Sequence, residues 1–270
     1  MAAARAGRFQ MQRLCRGYLA AAACSASIIC PTSAGAVSKD SAIRGAFHGT
    51  LVADALTLGT HYEYDATKIK KFYGAIDRYY APGEKTGGET HGVGWGGRNF
   101  HGGNGKGPPK KAGEQTDYGD YNILLLEHLV AESASPHRLS LTELIPTWQK
   151  RMQTWRAWMC TQTKQTLQQV QQGTPYNQLG GGSNAMAVRH AAAYGYFDNE
   201  EDVVHMARTA MFTHRETTAL EAGEFFGRVT FRVIHNGLTP RQVSSHRLCY
   251  QFAAPLCVSL VVIASEGLSK

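Results

Sequence analysis

The chain has 270 residues, 43% of them hydrophobic, which suffices for a buried core in one domain or a small pair; a single domain is expected. Its 28 basic and 21 acidic residues give +7, but four of the basic residues lie in the first 36, so the remainder holds 24 basic against 21 acidic and a net +3. That balance, without a clustered basic face, argues against a nucleic-acid partner.

The first 36 residues differ in kind from the rest. Arg5, Arg8, Arg13 and Arg16 precede the apolar run Gly17 to Cys24, and no acidic residue appears before Asp40. This is the pattern of a targeting leader. Ala34-Gly35-Ala36 offers an A-x-A cleavage site, which favours the secretory pathway, while the Arg-rich start equally suits a transit peptide for a mitochondrion or plastid. No stable membrane span is expected: Pro31 and several serines interrupt the leader, and Val258 to Ala264 is too short to cross a bilayer. Cys15, Cys24 and Cys30 belong to the leader, and Cys160, Cys249 and Cys257 have no C-x-x-C spacing, so neither a zinc site nor a disulfide framework follows. Isolated cysteines of this kind are most often small buried hydrophobes.

The domain is expected to span residues 41–270. From Ser41 to Leu58 the apolar residues Ile43, Phe47, Leu51 and Leu58 recur at helical spacing, with Asp40 or Ser41 as cap. Asp54 falls on the same face as Ile43 and Phe47, where a carboxylate needs a metal, a cation or several N–H donors. The helix exit, Gly59 to Asp65, is dense in polar groups, and His61 and Glu63 are candidates for site chemistry. Residues 74–113 form a long Gly-rich segment of the functional or disordered kind, in which Trp95 and Phe100 could fold over a ligand. Gly107 follows Gly105-Lys106 and no strand precedes it, so this is not a Walker phosphate loop; Lys106 to Lys111 reads as a solvated loop.

Thr116 to Glu132 reads as a polar helix start on a buried helix, because Asp117 and Asp120 precede the apolar run Ile123 to Val130. Thr116 or Asp117 would cap that helix; equally, a hydroxyl and two carboxylates at its mouth suit a hard divalent cation such as Mg²⁺. Pro146 is expected to open the next helix, whose Trp148, Met152, Trp155 and Met159 form a core stripe, and the Gln-rich stretch to Gln172 is expected to continue it with a solvated face. Gly180 to Gly182 stand before a helix start that could hold a phosphate on free N–H groups. Glu200 to His214 is read as one helix ending in a histidine, and Thr217 to His235 as another, closed by Asn236-Gly237. No convincing alternating strand appears, so the fold class is all-α.

In this order the segments resemble the ADP-ribosylglycohydrolases, which include the lens J-crystallins and their selenoprotein relatives; the likeness covers roughly residues 41–237. Ala46-Phe47 through Asp54-Ala55-Leu56 looks like the family's opening Gly-Asp-Ala-Leu-Gly helix, and His61-Tyr62-Glu63-Tyr64-Asp65 resembles the His-Trp-x-Tyr-Asp of the crystallin-like branch. Thr116-Asp117 looks like the metal-binding Thr-Asp-Asp start, Gly182-Ser183-Asn184-Ala185-Met186 resembles the Gly-Asn-Gly-x-x-Met segment beside ADP-ribose, and Thr213-His214 is similar to the family's Thr-His helix end.

The resemblance implies a compact multi-helix bundle that removes ADP-ribose from a modified protein or a small conjugate, using one or two Mg²⁺ ions. It would give Thr116, Asp117 and Asp54 metal roles, His61 and Glu63 catalytic roles, and Gly182, Ser183, Asn184, Met186 and His214 substrate contacts. The chain departs from the pattern at Tyr118, where the family has Asp, and at Gly119, where Thr is common; seven residues after Asp54 stands His61 instead of a glutamate. The last aspartate is Asp202, so a C-terminal Asp-x-Asp motif is missing and the bundle is expected to be C-terminally truncated. Two ions need more carboxylates than these, which implies weak Mg²⁺ binding with weak or lost activity, or a non-catalytic J-crystallin-like binding or structural protein.

Overall fold

The computed structural model describes residues 37–61, 63, 65–86, 110–131, 140–156, 159–182 and 188–245. The leader, most of the Gly-rich segment with Trp95 and Phe100, the segment Ser183 to Ala187, and the apolar run near residue 260 lie outside them. Among the described residues the chain is helical, and an isolated parallel bridge between Gly181 and His214 is the sole β pairing. The fold is all-α, as the absence of period-two alternation implies. No helix among the described residues is long and apolar enough to cross a membrane.

Helix α1 runs Lys39–Thr57, two residues earlier than its apolar spacing suggests, because Ser38 takes the cap and its hydroxyl accepts from the Ser41 N–H. A 3₁₀ turn, Leu58–Thr60, leads to α2, Ala66–Phe72, which Asp65 caps through Thr67 and Lys68. Helix α3, Asp117–Ala131, buries Tyr121, Leu124, Leu125 and Leu129. Helix α4 is Leu141–Met152 with Pro146 inside it, not at its start. The reciprocal Ser140–Glu143 capping box opens the helix: the Ser140 N–H donates to Glu143 Oε2 at 3.3 Å.

The chain then breaks, and the Gln-rich stretch forms a separate helix, α5, Thr161–Gln171. The break lets Trp155 turn inward to lie 5.1 Å from Tyr121, centroid to centroid, which one continuous helix would not do. Its threonines, Thr163 and Thr166, face the interior, so the helix is not wholly solvated. A short helix α6, Ala193–Tyr196, precedes α7, Glu200–Ala210, capped by Asn199. Helix α7 stops four residues short of His214: residues 211–213 turn so that Thr213 and Arg215 bond the Gly181 backbone, at 3.1 Å each. Helix α8, Thr217–Asn236, ends on Gly237 at φ +65°, a left-handed conformation glycine adopts without Cβ strain, and α9 is Pro240–Ser245.

Helix α8 packs along α7 and touches α1 and α9, while α1 also packs on α3 and α6, and α3 on α4. The core between them centres on fully buried Trp148, whose ring meets Phe212 edge-on at 5.0 Å. Each fully buried Leu or Phe contributes roughly 1.5–3 kcal/mol, so the apolar faces hold the bundle together. Outside, Arg228 binds Glu200, Glu201 and Glu224 and joins α7 to α8.

Candidate active site

The C-terminal end of α1 meets the start of α3, and three aspartates gather there. Each solves the problem of a buried carboxylate differently. Asp54 accepts from the Thr116 N–H at 2.7 Å, the Gly119 N–H at 3.2 Å and the Thr116 hydroxyl. The Gln115 amide, assigned with its nitrogen toward these acceptors, donates to Asp54 Oδ2 and to the Leu51 carbonyl. Asp54 therefore caps α3 from across the fold, supplying acceptors for N–H groups that a first helical turn leaves open. Burial pushes its pKa up to about 6, against the lowering effect of the Thr116 bonds. A Cβ on Gly119 would stand 2.5 Å from Asp54 Oδ2 and would also meet the Gln115 side-chain amide, which is why a glycine occupies the position.

Asp120 faces Lys110, with Nζ 2.8 Å from Oδ2. Asp117 has neither solution: it is 3% exposed and its Oδ1 lacks a hydrogen-bond partner. Burial, reinforced by the charge of Asp54, pushes Asp117 up to about 8. His61 Nε2 lies 4.0 Å from that oxygen, and burial pushes His61 down to about 4. At neutral pH burial thus favours the uncharged form of both groups, so the contact is not an ion pair. The His61 ring also meets Tyr118 edge-on, 5.8 Å between centroids.

Glu63 is buried on the turn into α2, where Oε1 accepts from the Asp65 N–H and Oε2 lies 3.8 Å from Lys68 Nζ. His214 is buried behind α5: Nδ1 lies 2.8 Å from both Arg189 Nη2 and Thr213 Oγ1, and Nε2 is 3.5 Å from Cys160 Sγ. Gly182 is exposed beside the Gly181–His214 bridge, whereas Ser183, Asn184 and Met186 lie outside the described residues. Sequence reasoning passed over Arg189, whose guanidinium is buried 4.3 Å above the Tyr121 ring and attracts Asp117 electrostatically. An arginine inside the apolar stretch Ala185 to Ala193, with no acidic neighbour, is the signal that would have found it.

A divalent cation needs hard oxygens with free lone pairs. Asp117 Oδ1 meets that need, and Thr116 Oγ1 retains a lone pair after donating to Asp54 and accepting from the Tyr118 N–H. Asp54 is committed to N–H donors and Asp120 to an ammonium group, and no set of three metal-ligating His, Cys, Asp or Glu side chains gathers among the described residues. These residues fit one ion held through few protein oxygens; they do not fit two. A family model of the ADP-ribosylglycohydrolases matches residues 36–254, which takes in every helix from α1 to α9. No curated protein and no solved structure matches the chain significantly. On the strength of that match across most of its length, the chain belongs to the ADP-ribosylglycohydrolase family, hydrolases of ADP-ribose linkages.

Proposed function

We propose that this chain removes ADP-ribose from a modified protein or a small conjugate, at a centre formed by Asp117, Thr116 and His61 with a single Mg²⁺ ion. The observation that carries this reading is the buried, unpartnered Oδ1 of Asp117 at the helix start that resembles the family's Thr-Asp-Asp motif. A carboxylate kept out of water without a partner destabilises the fold, and a divalent cation is the partner that reverses its burial-driven pKa shift. When bound, the ion supplies positive charge that orients the substrate and activates water. Asp117 and Thr116 would hold the ion, and Asp54 fixes the Thr116 hydroxyl so that its remaining lone pair stays oriented. His61, neutral and 4.0 Å from Asp117, orients a water or a ribose hydroxyl. Glu63, two residues further along the same loop, is the proposed proton acceptor: its Oε2 is buried without a hydrogen bond. Gly182, Ser183, Asn184 and Met186 form the proposed substrate side; His214, fully buried with both ring nitrogens engaged, is a positioning residue behind it through its bridge to Gly181, not a ligand contact. The leader directs the protein to the secretory pathway or an organelle.

A non-catalytic, J-crystallin-like role is the second reading, favoured by the commitment of Asp54 and Asp120 to structural partners. Incubation with ADP-ribosylated peptides and small conjugates in Mg²⁺, with free ADP-ribose measured by chromatography, separates the two. Release that disappears in Asp117→Asn supports the hydrolase. Binding of ADP-ribose by calorimetry without release of any linkage supports the second reading, and neither binding nor release sinks both.

A further inference from the structure

The glycines Gly180 to Gly182 are held from two sides. The Gly180 N–H donates to Gln169 Oε1 at 2.9 Å, and Gln169 Nε2 donates back to the Gly180 carbonyl at 3.5 Å. A side-chain amide of α5 thus pairs with backbone as a neighbouring strand would. One residue on, the Gly181 N–H donates to the Thr213 carbonyl and the Gly181 carbonyl accepts from the Arg215 N–H, at 3.1 Å each. Gly180 is gripped from α5, and Gly181 from the turn before α8.

Sterics close the same two positions. Gly180 has φ +101°, which an L side chain rarely adopts, and a Cβ there would stand 2.6 Å from the Phe212 carbonyl oxygen. A Cβ on Gly181 would stand 2.8 Å from Gln162 Cγ and 2.9 Å from Gln165 Oε1. At about 100° per residue Gln162, Gln165 and Gln169 fall within about 60° of one another on α5, beside the face that buries Thr163 and Thr166. The glutamines of α5 therefore lie along the glycines instead of serving only as a solvated surface. Gly182 differs: it is exposed, and nothing lies within 4 Å of where its Cβ would stand. Two glycines are fixed, and the open third leads into Ser183.

Glycine gives up more conformational freedom on ordering than any other residue. Glycines left unheld would lose that freedom only when a ligand arrives, at the expense of affinity; glycines ordered in advance do not. We infer that Gln169 is a positioning residue of the proposed substrate side, which by pairing with the N–H and carbonyl of Gly180 orders the glycine loop before an ADP-ribosyl ligand binds. It acts through Gly180 and is not itself a catalytic group. The inference rests on the reading of Gly182 as the substrate side and needs no hydrolysis, so it holds whether a bound conjugate is cleaved or only held.

The test compares the full natural chain with Gln169→Met, which is close in size and helix propensity and lacks both polar groups. Should that variant not fold, Gln169→Ala removes the same two bonds. Hydrogen exchange read on the peptide covering residues 174–182 should be about tenfold faster in Gln169→Met, the effect of losing the bond that holds the Gly180 amide closed. Gln169→Glu keeps an acceptor for that N–H and should retain the slow exchange. Calorimetric titration with ADP-ribose should show about tenfold weaker binding to Gln169→Met, as expected when the ligand must order one more backbone residue, with helical circular dichroism and the Mg²⁺ isotherm unchanged. Unchanged exchange, or faster exchange with unchanged ADP-ribose affinity, overturns the inference. So does a loss of Mg²⁺ and ADP-ribose binding together with thermal stability, which would make Gln169 a general structural residue. A natural chain that shows the exchange difference and binds no ADP-ribose overturns the functional reading and the inference with it, whereas equal ADP-ribose binding by natural chain and variant overturns the inference alone.

Discussion

Replacing Asp117 with Asn keeps its size and removes its ionisable group, and in metal-free protein the variant should be more stable than the natural chain. The native pKa near 8, raised from 3.8 by burial and by Asp54, means that the folded state retains a proton which the unfolded chain releases. Between those values the native state binds more protons than the unfolded state, so stability falls as pH rises and levels off above the native pKa. At pH 7 the accumulated loss is about 4 kcal/mol at about 1.36 kcal/mol per pKa unit, and its coupling to Asp54 makes roughly 2–4 kcal/mol the useful range. For a domain of this size that corresponds to a rise of roughly 5–15 °C in Tm. Thermal unfolding in chelator from pH 5 to pH 8 is the assay: the buried His61 and His214 titrate alike in both proteins, so the stability gained by Asp117→Asn over the natural chain should widen as pH rises across the range. Added Mg²⁺ should stabilise only the natural chain. A variant equal to or less stable than the natural chain in chelator would falsify the account of Asp117 as an uncompensated buried carboxylate.

Calorimetric titration with Mg²⁺ should show at most one weak site, lost in Asp117→Asn; two tight sites would refute the ligand count. Gly119→Ala should cost about 2 kcal/mol in urea denaturation, because its Cβ displaces Asp54 from the helix start; unchanged stability would show that Asp54 does not hold α3. Lys110→Met should destabilise by roughly 1–3 kcal/mol at pH 7, since it strands the partly buried Asp120 carboxylate. That loss should shrink on acidification as Asp120 takes up a proton, and a pH-independent loss would point to packing of the lysine stem instead.

Much of the helical skeleton is written in local pattern. Apolar residues at helical spacing in α1, α7 and α8, and the Asn236-Gly237 stop, read directly because a helix face and a left-handed cap are properties of neighbouring residues. The buried position of Asp54 is equally legible, since its place on an apolar face requires an N–H or cation partner. Its partner is not: the Thr116 N–H lies 62 positions away, and only tertiary packing brings it near. The same holds for the Lys110–Asp120 pair, which turns a carboxylate cluster into separate functions. Pro146 misled because a capping box whose Ser140 lies six residues upstream outweighs a single missing N–H. The break before α5 escaped notice because a polar, glutamine-rich sequence has no periodicity with which to register the interruption. Cys160 and Arg189 carried no motif; their significance comes from the contacts each makes with His214.

The bridge between Gly181 and His214 also sets when the site forms. Its two backbone bonds join chain positions more than thirty residues apart, and the Cys160 to His214 contact spans 54. The Asp54 to Thr116 bonds close a loop of 62. Closing such loops costs chain entropy before any contact repays it, whereas α7 and α8 are adjacent in sequence and joined by a short connection. The hairpin of α7 and α8 is therefore the natural early unit of folding, and both halves of the site complete only when distant segments dock. A partly folded chain holding only that hairpin would display a minor share of the native helical circular dichroism, while Asp117 and Cys160 still lacked their native surroundings.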